Sequence, residues 1–249
     1  MTPLGPGPTV LGVRGITKRF GGLNVFEDIS FDVDRGEVLG LIGPNGAGKT
    51  STINVISGML PPSAGRVVLD SQDITGKPFH VVSRLGVVRS FQQTNTFRGV
   101  TVEENLHRAS RFGAGADNGL GVEELLEEFG LARHLHEASE KLPYGLQKML
   151  GLVMVLYSRP HFLLLDEPAA GLERRERTQV DRFVDHASRH LGCGVLMVEH
   201  DMDLVKRLCP RILVLEAGRL LAEGAPEDVL SRQHVIDAYL GAVEEEQAC

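Results

Sequence analysis

The chain reads as an α/β protein with three parts. These are a largely parallel sheet with helices between its strands, an antiparallel strand pair ahead of it, and a helical segment set into its middle. Three observations predict this. Short apolar runs rich in β-branched residues alternate with stretches of helical apolar spacing, the pattern of a layered α/β core. The first strands instead alternate apolar with polar residues and meet at a Gly-Gly pair. From about Thr94 to Arg159 the strand signal almost vanishes.

The elements follow in order. Val10 to Phe20 and Val25 to Val33 read as two antiparallel strands joined by a turn at Gly21-Gly22. Glu37 to Ile42 (EVLGLI) is a short apolar run suited to a strand buried on both faces. A Gly-rich loop and a helix over Lys49–Ser57 come next. Arg66–Asp70, Gly86–Ser90, Phe162–Leu165, Gly194–Val198 and Arg211–Leu215 are the further strands. Thr101–Phe112, Val122–Phe129 and Leu146–Leu156 carry helical spacing. The expected division is a core with its antiparallel subdomain over residues 1–93 and 159–249, and a helical subdomain over 94–158. There is no internal repeat, and the Glu244-Glu245-Glu246 tail reads as solvated.

Composition narrows the classes. A chain of 249 residues buries roughly 70–75% of its unfolded surface, so it needs no disulfide or structural metal. Cys193, Cys209 and Cys249 form neither a CxxC pair nor a zinc-spaced cluster, and they read as thiols in a reducing compartment. The net charge of −7 argues against the broad basic face of a nucleic-acid binder, so no nucleic-acid partner is expected. The strongest apolar run, Leu150 to Tyr157, falls well short of the ~20 residues a bilayer span requires. The N-terminal MTPLGPGPTV lacks the basic and apolar regions of a secretory signal. A cytoplasmic protein is the expectation.

Gly43, Pro44, Asn45, Gly46, Ala47, Gly48, Lys49 and Thr50 spell GPNGAGKT, a full match to GxxxxGK[ST] between a buried strand and a helix. Glycines let such a loop curl so that successive N–H groups point inward at phosphate oxygens. The start of the helix, with Ser51 beside Thr50, adds its positive end. Lys49 is expected to reach the β- and γ-phosphates, and Thr50 to ligate Mg²⁺ through its hydroxyl. Further on, the apolar FLLL run ends in Asp166-Glu167-Pro168. Carboxylates at the end of a buried strand sit at the mouth of the sheet, where a bound nucleotide would lie. Asp166 is the expected metal partner. Glu167, on the opposite side by strand alternation, is the expected residue to polarise an attacking water. These residues form the chemistry of a P-loop nucleoside triphosphatase.

The order of these motifs, from about Val13 to Gly241, resembles the ATP-binding subunit of an ABC transporter. The resemblance implies the ABC ATPase fold, in which a RecA-like P-loop core carries an antiparallel β subdomain and an inserted α-helical subdomain. It implies ATP and Mg²⁺ as ligands. It places Phe20, in ITKRFGG, against the adenine ring. It makes Gln92, in RSFQQ, the residue that touches Mg²⁺ and the water and senses a transmembrane partner, with Gln93 as the alternative. Ala170-Gly171-Leu172-Glu173 matches the short loop after the acid pair, and His200, in VEHDM, the γ-phosphate histidine.

The signature segment departs from the family's LSGGQ: Leu142 to Leu146 read LPYGL, with Gln147 one place late. Pro143 supplies neither a hydroxyl nor an N–H, so capping of the nucleotide held by the other subunit would fall to the backbone of Tyr144 and Gly145 at a helix start. This variant, with TNTFRGVTVEENL, LLLDEPAAGL and VIDAYLG, resembles importers of branched-chain or hydrophobic amino acids and of urea-like amides. The resemblance implies separate transmembrane permease chains, a second related ATPase subunit or a second copy of this chain, and a place at the cytoplasmic face of the membrane. The rival readings are a lipid or lipopolysaccharide exporter ATPase, a non-transport ABC ATPase, and a catalytically silent subunit. VIDAYLG and LPYG lean away from the first, the chain's length from the second, and Lys49, Asp166, Glu167 and His200 from the third.

Overall fold

In a computed structural model of the chain, which describes residues 10–90, 96–112 and 121–239, the two expected sheets form. The first is antiparallel. β1 (Val10–Phe20) and β2 (Leu23–Asp34) pair through the Gly21-Gly22 turn, with Phe20 opposite Leu23. β1 also pairs with β4 (Ala64–Leu69), which carries the two-residue β5 (Gln72–Asp73). The strand order is β2-β1-β4-β5.

The second sheet has six strands in the order β10-β9-β3-β8-β7-β6. These are β3 (Val38–Ile42), β6 (Val87–Arg89), β7 (Phe162–Asp166), β8 (Gly194–Val198), β9 (Arg211–Glu216) and β10 (Arg219–Gly224). All pair in parallel except β10, which closes the edge antiparallel to β9. Every residue of β3, β7 and β8 is buried, as their unbroken apolar runs require of strands covered on both faces. Alternation divides them between two cores. Leu163, Leu165, Val195 and Met197 face one; Phe162, Leu164, Leu196 and Val198 face the other with Phe26, Ile53 and Ile56.

Helices cover the sheet: α1 (Lys49–Ile56), α2 (Phe79–Arg84), α6 (Arg174–Asp185), α7 (Met202–Leu208) and α8 (Pro226–Leu230), with a further helical stretch over 233–239. Between β6 and β7, the described residues hold α3 (Val102–Phe112), α4 (Val122–Glu128), α5 (Tyr144–Leu156) and two short turns, joined by the lone bridge Thr101–Ala138. The apolar sides of these helices share a core with the sheet: Val102, Leu125, Phe129, Met149 and Val153 pack with Leu163 and Phe183.

The differences from sequence expectation are physical. Helix α5 starts two residues earlier than its apolar spacing suggests, because the extended Pro143 serves as its N-cap. β4 stops at Leu69, and Asp70 turns the chain with φ 55°. β10 was not expected: at the sheet edge only Ala222 of its six residues is buried, so its apolar signal is weak.

Candidate active site

The phosphate loop is dictated by backbone geometry. Gly43 has φ 146°, and a Cβ there would lie 2.0 Å from the Leu215 carbonyl oxygen at the end of β9. Only glycine lets the loop leave β3 beside β9. Gly48 caps α1 in the left-handed region, at φ 101°. Lys49 then opens the helix and turns its buried ammonium back on the loop, donating to the carbonyl oxygens of Gly43 (2.7 Å) and Pro44 (2.8 Å). Burial lowers its pKa, opposed by the charges of Glu167 and Asp166.

Asp166 ends β7 with its side chain fully buried. Its Oδ1 lies 3.5 Å from the Thr50 hydroxyl, and its Oδ2 accepts a 2.7 Å bond from Arg89. Burial pushes its pKa up, with Arg89 the main opposing influence. Strand alternation does not carry on to Glu167, contrary to expectation, because β7 has already ended. Glu167 takes a left-handed backbone, φ 50°, and its N–H donates to the Val198 carbonyl at 2.9 Å. Its Oε1 is 3.1 Å from His200 Nε2. His200 is placed by the end of β8 and the start of α7, whose N-cap Asp201 accepts from the amides of Asp203 and Leu204 and pairs with Arg177.

A pocket of roughly 320 Å³ results, lined by Val25, Asn45, Gly46, Gly48, Lys49, Thr50, Ser51, Glu167 and His200. Phosphate-loop amides, an ammonium, a hydroxyl, a carboxylate and an imidazole thus converge from sequence-distant elements. Such a site can hold a polyphosphate and order a water beside it. Ala47 is buried beneath the loop. Phe20 does not line the pocket. Its ring is 49% exposed with the Lys18 ammonium 4.6 Å from its centroid, and the hairpin contributes Val25 instead. Gln92 and Gln93 lie outside the described residues.

Pro143, Tyr144 and Gly145 open α5 away from this pocket. Pro143 and Tyr144 are exposed. Gly145 is buried, and a Cβ on it would lie 1.9 Å from Glu176 Oε1, so its face is turned to α6. Glu176 in turn accepts from the Glu173 amide at 2.9 Å in a capping box.

Three charged residues that sequence reasoning passed over are buried at the site. Arg89, on β6, bonds Asp166 and the Asn54 side chain of α1. Lys148, on α5, donates to the carbonyls of Glu167 (3.1 Å) and Ala170 (2.6 Å). Glu199, after β8, accepts from the amides of Ala169 (2.8 Å) and His200 (3.1 Å). Burial lowers the pKa of Lys148 and raises that of Glu199. The available signal was a lone charge in or beside an apolar run: VVR, YGLQKMLGLVMVL and GVLMVE.

The fold and this pocket together define a P-loop ATPase. A family model described as "ABC transporter" matches residues 26–170, and one described as "Branched-chain amino acid ATP-binding cassette transporter" matches residues 219–245. The chain belongs to the ABC transporter family. It is 36% identical to the high-affinity branched-chain amino acid transport ATP-binding protein LivG of Salmonella typhimurium, covering 93% of this chain and 98% of LivG. It is 33% identical to the lipopolysaccharide export system ATP-binding protein LptB of Escherichia coli, covering 93% and 97%. Among solved structures, the ADP conformation of MJ1267, an ATP-binding cassette of an ABC transporter, superposes with a TM-score of 0.80 at 27% identity, covering 94% of this chain and all of that one. No described helix is long and apolar enough to cross a membrane.

Proposed function

We propose that this chain is the ATP-hydrolysing subunit of an importer that takes up branched-chain or other hydrophobic amino acids, or urea-like amides, through separate permease chains at the cytoplasmic face of the membrane. The observation that carries the ATPase part is the meeting of the phosphate loop, Glu167 and His200 in one pocket. The solute class is supported by the C-terminal family match and by the names of LivG and of BraF from Pseudomonas aeruginosa, the latter also 36% identical. The likeness to LptB supports the rival reading of a lipopolysaccharide exporter, but the C-terminal match favours the importer.

In this reading the loop amides and Lys49 bind the phosphates of ATP. Glu167 orients the attacking water and accepts its proton, and His200, bonded to Glu167, lies beside the γ-phosphate. The Thr50 hydroxyl and Asp166 Oδ1 are an all-oxygen pair with one negative charge, which fits Mg²⁺. Mg²⁺ bound there neutralises phosphate charge. Gln92 joins this set as the residue that contacts the permease, and Phe20, exposed on the hairpin outside the phosphate pocket, meets the adenine where the base extends beyond that pocket. Two cassettes, of this chain or of this chain and a relative, enclose the nucleotides, with Pro143–Gly145 capping the one held by the other subunit. Residues 94–158 act as the helical arm, and 1–93 with 159–249 as the catalytic core.

Glu167→Gln tests the site. ATP binding should stay within about twofold while turnover falls about 10²–10⁴-fold, the span general-base removal produces. Unimpaired turnover would remove Glu167 from the role. Uptake of labelled leucine and urea by cells with and without the chain tests the solute.

A further inference from the structure

Glu167 is a non-glycine residue held in the left-handed backbone region, which persists only where the surroundings impose it. Two buried charges do so from opposite sides. From α5, Lys148 donates to the carbonyls of Glu167 and Ala170. From the end of β8, Glu199 accepts from the amide of Ala169, between those two, and from that of His200. Lys148 is 6% exposed and Glu199 4%, and neither lines the nucleotide pocket. Among the described contacts no ion pair joins the two, although the Glu199 charge favours the protonated form of Lys148 against its burial. Two buried charges spent on main-chain groups are a costly way to fill a core, where apolar residues of similar volume serve at least as well. The same helical turn grips the loop again further on: a Cβ on Gly171 would lie 3.0 Å from Tyr144 Cε1.

We propose that Lys148 and Glu199 are positioning residues, a clamp that holds the Glu167 backbone in its left-handed form and so keeps its carboxylate on His200, tying the signature helix α5 to hydrolysis in the chain's own site. This rests on the reading of Glu167 as the water-orienting carboxylate. Lys148 lies about one helical turn from Gly145. A nucleotide landing on the Pro143–Gly145 end of α5 therefore pulls on the carbonyl of Glu167 through a single rigid turn.

The test uses the purified full-length chain with Lys148→Met, Lys148→Arg, Glu199→Gln and Glu167→Gln in parallel. It reads steady-state kcat and KM, affinity for a fluorescent ATP analogue, and hydrogen exchange of the 167–172 amides. Lys148→Met should lower kcat about tenfold or more with KM and affinity within about twofold, the pattern of lost positioning. The 167–172 amides should exchange faster while β3 and β8 stay protected. Lys148→Arg, which can still donate to both carbonyls, should recover kcat to within about threefold of wild type. Where Lys148→Met does not fold, the near-isosteric Glu199→Gln carries the same expectations. Wild-type kcat with wild-type exchange in both clamp variants overturns the proposal. So does a loss shared by kcat, affinity and protection across the whole sheet, which marks a structural role only. An inactive Glu167→Gln beside a fully active Lys148→Met sinks the clamp and spares the reading of Glu167; an active Glu167→Gln sinks that reading itself. Hydrogen exchange reads the clamp even if turnover requires the partner chains.

Discussion

Replacing Arg89 by Met is the most informative perturbation of this fold, because it breaks a buried ion pair at the centre of the site. The Arg89 side chain is 6% exposed and that of Asp166 is 0%, and their bond is 2.7 Å. Desolvation already pushes the Asp166 carboxyl up, and Arg89 is the main influence holding it ionised. Methionine keeps much of the volume but leaves that carboxylate without its counter-charge, and it also strands the Asn54 side chain that Arg89 bonds. Removing one partner of such a pair costs about 3–5 kcal/mol. At about 2–4 °C per kcal/mol for a chain of this size, Tm should fall by about 6–20 °C. Adding Asp166→Asn removes the stranded charge, so the double variant should regain about 1–3 kcal/mol over Arg89→Met alone. The assay is urea unfolding in EDTA without nucleotide, on wild type, both single variants and the double. A loss below about 1 kcal/mol, or a double variant that merely sums the two singles, would refute the argument that the pair is held by charge compensation in the core.

Other outcomes follow from the same geometry. Gly43→Ala sets a Cβ 2.0 Å from the Leu215 carbonyl at φ 146°, so it should yield insoluble protein or weaken ATP-analogue binding by about tenfold or more; tight binding by a soluble variant would contradict the loop geometry. Burial pushes the Cys193 thiol up to about 11 and the Cys209 thiol up to about 12, so neither should be alkylated by iodoacetamide at pH 8 in the folded chain, and peptide mass spectrometry showing either one labelled would count against their burial. Burial also raises Glu199 above its ordinary 4.5. Between the ordinary and the raised value the folded chain binds this proton more readily than the unfolded chain, and above that interval both hold a carboxylate, so this group's contribution is most favourable below pH 4.5 and declines as pH rises through the raised value. Wild type should gain stability relative to Glu199→Gln as pH is lowered from about 7 to 5, and parallel unfolding curves would argue against the shift.

The chain's contiguous signals determined a great deal unaided. GPNGAGKT is legible because a phosphate cradle is a local backbone shape, made by glycines and a helix start within eight residues. The buried runs of β3, β7 and β8 are legible because burial on both faces demands unbroken apolar side chains. The acid pair and His200 are legible because each follows such a run. The resemblance to ABC cassettes singled out Phe20 for the adenine; the phosphate pocket itself takes Val25 from the hairpin, with the exposed Phe20 ring beside Lys18. Tertiary structure alone decided which charges serve one another. Arg89 and Asp166 are 77 residues apart, and they meet only because β6 and β7 are neighbours in the sheet. Glu199 and Ala169, 30 apart, meet because β7 pairs with β8. The left-handed turn of Glu167 has no signature of its own, since the groups that hold it come from α5 and β8. Periodicity and φ preference act over a few residues. Pairing of buried charges depends on strand order, which no short stretch of sequence carries.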